Sequence, residues 1–123
     1  MNYRLIVING SLKEKGILTT FKILSETIFE AGTPEESTLY KIEIPESDID
    51  KVSYFLKNNL KYPYYAHLYH EDPKRDTMIV VFAGHLFNTS KKHHEEAIAY
   101  GIQNGVTEQQ MIITPTNIME EKW

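Results

Sequence analysis

Hydrophobic and polar residues alternate at some points of this chain and recur at helical spacing at others. Residues 3–8 form a short, apolar, β-branched run that stops at Asn9-Gly10, which predicts a strand ending in a turn. From Ile17 onward, apolar residues fall at Leu18, Phe21, Leu24, Ile28 and Phe29, a spacing that predicts a helix. Ala31-Gly32-Thr33-Pro34 is its expected stop. Residues 37–44 alternate, with Tyr40, Ile42 and Ile44 on one face and Leu39, Lys41 and Glu43 on the other. Pro45 closes that strand, and Ser47 or Asp48 is placed to cap a helix carrying Ile49, Val52, Phe55, Leu56 and Leu60 on one stripe.

The second half continues in the same terms. Residues 64–70 alternate as a strand, Asp72-Pro73-Lys74-Arg75-Asp76 is a turn, and residues 78–83 are apolar on both faces, as a central strand is. Together they predict a β-hairpin. Asn88-Thr89-Ser90 then reads as the cap of a helix carrying Ala97, Ile98, Gly101 and Ile102, ended by Asn104-Gly105. A last short strand is expected over residues 111–114, followed by a polar tail.

From Thr38 the predicted order is strand, helix, strand, strand, helix, strand. That is the split βαβ order of an α+β, ferredoxin-like fold, an antiparallel sheet with both helices on one face. One domain is expected over residues 1–123: an N-terminal strand–helix addition over 1–36, the ferredoxin-like unit over 37–115, and a tail over 116–123.

Three stretches carry the resemblance of this chain to a family: KIEIPESDIDKVSYFLKNNLKYPYYAHLYHED, MIVVFAGHLF and HHEEAIAYGIQNGVTEQQMI. Over about residues 38–115 the chain resembles a family of small uncharacterised prokaryotic α+β proteins. Those proteins share an aromatic-Tyr-x-His strand, a Val-Val-Phe strand, and a Tyr-Gly helix followed by a Glu-Gln turn. Two positions depart from the pattern: Tyr64 stands where a Trp is expected, and Met111-Ile112 replaces a more acidic ending. The resemblance implies a fold and no activity.

Composition narrows the function classes. With 123 residues, 41% hydrophobic and 24% charged, the chain is long enough for one real core and not of disordered composition. A net charge of −4 disfavours duplex nucleic acid and anionic membrane surfaces as partners. There is no cysteine, which removes disulfides and thiolate chemistry. MNYRLIVING does not read as a signal peptide, and no stretch has the length of a membrane span, so a cytoplasmic location is expected.

Candidate chemistry lies in three places. The Asn9-Gly10-Ser11 turn with its lysine-rich loop imitates the opening of a flavodoxin-like, flavin- or nucleotide-binding protein, with Gly10 and Ser11 as phosphate contacts. Glu14 in that loop opposes an anion, and an antiparallel hairpin leaves too little chain for a five-stranded parallel sheet. An ordinary turn is the favoured reading.

The five histidines are His67, His70, His85, His93 and His94, of which His67, His70 and His85 are the metal-ligand candidates. His67 and His70 are three apart on a strand and so point to opposite faces.

The third candidate is the sheet face bearing Lys41, Glu43, Tyr65, His67 and Tyr69, expected to lie open to a ligand or a second subunit. Tyr65, His67 and a carboxylate such as Glu43 are residue types that together can form a proton-handling group there. No cofactor is expected. A non-enzymatic binding or protein-interaction module, homodimeric, is the favoured function, with a small-molecule ligand the other partner class. A small enzyme or metal-binding protein built on a His/Tyr cluster is the alternative.

Overall fold

In a computed structural model, residues 2–8, 10–14, 16, 20–29, 32, 37–62 and 64–106 are described, the side chains of Thr27, Phe29 and Ser37 excepted. Among these residues six strands and two longer helices follow one another as β1 (Asn2–Ile8), β2 (Ile23–Phe29), β3 (Ser37–Pro45), α1 (Ile49–Asn59), β4 (Tyr65–His70), β5 (Thr77–Phe82), β6 (His85–Ser90) and α2 (Glu95–Gln103). The strands form one sheet in the order β2-β3-β1-β4-β5-β6, and every neighbouring pair is antiparallel. The fold is therefore α+β. The expected strand of residues 111–114 and the tail lie outside the described residues.

Three differences from the ferredoxin-like expectation matter for the site. The first concerns β1, which is no addition at the edge. It lies at the sheet centre between β3 and β4, antiparallel to both, so β3 and β4 run parallel with α1 as their crossover. Its apolar side chains on both faces, Leu5 and Val7 on one and Ile6 on the other, are buried as a central position requires.

The second difference is at residues 23–29, expected to be helical. They pair with β3 as an edge strand, with a register irregularity between Ile23 and Ser25. Leu24 and Ile28 fit a helical stripe, yet the open edge of β3 offers this β-branched segment a ladder of hydrogen bonds that an isolated short helix lacks.

The third difference is that the helices lie on opposite faces of the sheet. Val52, Leu56 and Leu60 of α1 and the residue after it pack with Leu5, Ile42, Ile44, Ala66, Leu68 and Val81. Ala97 of α2, and Val106 beyond it, pack with Ile6, Tyr69, Met78, Val80 and Phe82.

Local signals are realised in detail. Residues 46–48 form a short 3₁₀ turn ahead of α1, and Asp48 occupies the N-cap without a side-chain cap bond. Residues 88–90, expected only as a cap, end the sixth strand. Their hydroxyls still shape the turn into α2, since Thr89 Oγ1 donates to the His93 carbonyl at 2.6 Å and the Ser90 hydroxyl accepts from the His93 amide at 2.9 Å. At the other end of α2, the Val106 amide donates to Gly101 O at 3.0 Å and the Gly105 amide to Ile102 O at 3.4 Å, with Gly105 at φ 97°. That is the Schellman stop which Asn104-Gly105 predicts.

Candidate functional site

Four segments meet at the end of the sheet where β4 begins and β5 finishes. Leu60 and Leu12 form a β-bridge, and the Lys61 amide donates to Ser11 O at 2.8 Å, which anchors the chain just before the tyrosines. The Tyr64 amide then donates to Lys61 O at 2.8 Å, folding this connection into a turn. The β5–β6 hairpin turns through Ala83-Gly84. Gly84 sits at φ 81°, a conformation glycine adopts without strain, and its amide donates to Lys57 O at 2.9 Å. From α2, Tyr100 and Asn104 project on the same side one turn apart.

Between these segments lies a hollow open to solvent and lined by Tyr62, Tyr64, Phe82, Ala83, Tyr100 and Asn104. Phe82 and Tyr100 sit 4.8 Å apart at 54°, so their rings form an angled floor. Phe87 meets Phe82 edge-on at 6.0 Å, and His85 stacks on Tyr100 at 4.7 Å. Tyr62 and Tyr64 form the rim, with 67% and 40% of their surfaces exposed. Asn104 donates one side-chain Nδ2 hydrogen to the Tyr100 carbonyl at 2.8 Å, which fixes its amide beside the hollow.

The face expected to be open is closed in its centre. Register places Lys41, Ile6, His67 and Val80 in one row across the sheet, and Glu43, Arg4, Tyr69 and Met78 in the next. Lys41, Glu43, Tyr65, His67 and Tyr69 therefore do share a face, but α2 and Val106 cover its β4–β5 side, and His67 and Tyr69 are buried.

The expected proton-handling group is not assembled. Glu43 lies two strands from His67 and one row away, and it accepts from Asn2 Nδ2 at 2.8 Å. Burial, with a smaller contribution from His94, lowers the His67 pKa to about 3, and its Nε2 has no hydrogen-bond partner among the described residues. Burial likewise pushes Tyr65 up to about 12. Near neutral pH both groups keep one protonation state, which suits a core and not a proton shuttle.

The three metal-ligand candidates lie in three separate places. His67 is mid-strand under α2, His85 is at the aromatic end, and His70 is at the opposite end on the α1 face, edge-on to Tyr3 at 5.0 Å. No group of three metal-ligating side chains exists among the described residues. His70 instead anchors the β4–β5 turn: its Nδ1 accepts the Asp72 amide at 3.0 Å, and its Nε2 lies 3.0 Å from Arg75. Arg75 pairs with Glu46 at 2.7 Å, which holds the Glu46 carboxyl below its usual range. Burial first, then Arg75, lowers the His70 pKa.

Ser11 is buried, and its hydroxyl and amide both donate to Ile8 O, at 2.7 and 3.1 Å. The Lys13 amide is also spent, on Asn59 O at 2.8 Å. With Gly10 at φ 88°, the segment is a turn that docks the chain onto the end of α1. Among its described residues, the Ser11 and Lys13 amides are thus taken by the chain itself and not left for a phosphate.

The sequence pattern did not bring out Tyr62, Phe82, Tyr100 and Asn104 as a group. The signal was the aromatic density of YPYY, read there as one strand, and the one-turn spacing of Tyr100 and Asn104. Comparison with known proteins finds no matching family model, no similar curated protein and no similar solved structure.

Proposed function

We propose that this chain is a small, non-enzymatic binding module whose ligand site is the aromatic hollow at the head of β4. The observation that carries the reading is the pair Tyr62 and Tyr64, exposed on the rim of a concavity floored by Phe82 and Tyr100. Exposed aromatic surface around a concavity is a stabilising contact waiting for an apolar group, and tyrosines supply it at low entropy cost. A binding role also agrees with the buried, pH-insensitive state of His67 and Tyr65. The test is an NMR titration of the ¹⁵N-labelled protein with small apolar probes such as indole and 3,3-dimethylbutan-1-ol. Shifts confined to residues around Tyr64, Ala83, Tyr100 and Asn104 support the reading, and shifts elsewhere or none refute it.

The working form in this reading is a cytoplasmic homodimer joined at β2. Among the described residues no strand lies beyond β2, and Ile23, Leu24 and Ile28 are exposed along it. Such an edge presents unpaired amides and carbonyls together with apolar side chains, which a second edge strand satisfies.

A further inference from the structure

Resting on the hollow being the ligand site, we propose that what it binds is a small alkylated ammonium cation, a quaternary ammonium group carried by a free metabolite. Two independent features of the lining select positive charge. The walls are aromatic rings from three parts of the fold, Tyr62 and Tyr64 before β4, Phe82 on β5 and Tyr100 on α2. Ring faces carry the negative end of the aromatic quadrupole and attract cations.

The second feature is the helix end. Tyr100 and Asn104 belong to the last turn and C-cap of α2, where the backbone dipole leaves partial negative charge, and that last turn holds no basic residue to neutralise it. Among the described residues that line it none carries a cationic side chain, so an anion meets no counter-charge from them.

Alkylation of the cation follows from the same lining. A primary ammonium is strongly hydrated and needs several acceptors to replace its water, and the lining offers one amide oxygen and tyrosine hydroxyls. A quaternary ammonium gives up weakly held water, has no donor to satisfy and presents methyl groups to the rings. Because the hollow is open to solvent, the head group lies against the rings with its tail in solvent.

The experiment compares choline with its neutral isostere 3,3-dimethylbutan-1-ol by NMR titration of the intact chain. Choline is expected to bind roughly tenfold more tightly, the ratio that a cation–π contribution of this kind gives. Tyr62→Leu and Tyr64→Leu keep apolar area at exposed positions but remove a ring face, so each should weaken choline binding more than isostere binding and reduce the preference for choline. Equal or tighter binding of the isostere, or a choline preference unchanged in both variants, overturns the cation assignment and leaves the hollow a neutral apolar site. Failure of choline, isostere and indole alike removes the binding reading itself.

Discussion

The His85 imidazole lies nearly parallel to the Tyr100 ring, 18° between planes and 4.7 Å between centroids. One comes from the first residue of an edge strand and the other from the last turn of a helix, so this stack ties α2 to the β5–β6 hairpin. Phe82 and Phe87 close around the same ring at 4.8 and 5.4 Å. Tyr100 is thus both floor of the hollow and fastener of the helix that covers His67. The rim tyrosines have no such second task.

That division of labour separates two sets of variants. Tyr100→Ala is expected to cost about 2–3 kcal/mol, from lost area and lost ring–ring contacts. Tyr62→Leu and Tyr64→Leu should stay within about 0.5 kcal/mol of the parent, as exposed positions usually do. Urea unfolding of the three variants checks this, and a large loss from either rim change would mean the rim is structural.

Acid stability should depend on His67. In the unfolded chain a histidine takes up its proton near pH 6.5, whereas in the fold burial delays this to about pH 3. Between those values the unfolded state binds more protons, so stability is full above about pH 6.5 and falls as pH drops toward 3. The whole interval corresponds to roughly 4–5 kcal/mol from this one group. His67→Leu should flatten the pH dependence of the unfolding free energy across that window and cost little at pH 7. An unchanged slope would show that His67 is hydrated or protonated in the folded protein.

The Schellman stop of α2 gives a backbone prediction. Gly105 holds φ 97°, which a residue with Cβ adopts at a cost, so Gly105→Ala should destabilise by about 1 kcal/mol. Because Asn104 stands next to it and lines the hollow, the same variant should weaken choline binding. Thermal unfolding and the choline titration read the two effects separately.

Edge pairing through β2 predicts that Ile28→Lys yields a monomer by light scattering, with helix and sheet content unchanged in circular dichroism. Ile28 is 57% exposed in the isolated chain, so the substitution leaves no buried cavity there. A parent protein that is already monomeric at high micromolar concentration would contradict the dimer.

Much of the fold is legible in sequence where the signal is local. The alternation of residues 37–44 places Ile42 and Ile44 against α1 and Lys41 and Glu43 on the other face, as found. The Asp72–Asp76 turn and the Asn104-Gly105 stop are equally direct. Sheet order is different in kind, because nothing in the run RLIVI says which two strands will flank it. Residues 23–29 satisfy a helical stripe and a β-branched strand at once, and only the open edge of β3 decides between them. The site was hidden for the same reason. Tyr62 and Tyr100 are 38 positions apart in the chain and meet through a parallel crossover, a hairpin and a helix whose face of the sheet no periodicity specifies.

The most direct test of the account is a ¹⁵N-resolved titration with choline and its neutral isostere, read at the backbone amides around the hollow. Saturable shifts at Tyr64, Ala83, Tyr100 and Asn104, stronger for choline and by a smaller margin in Tyr62→Leu, are the predicted result. Shifts that are absent, or that map to the buried face around His67 instead, would contradict it.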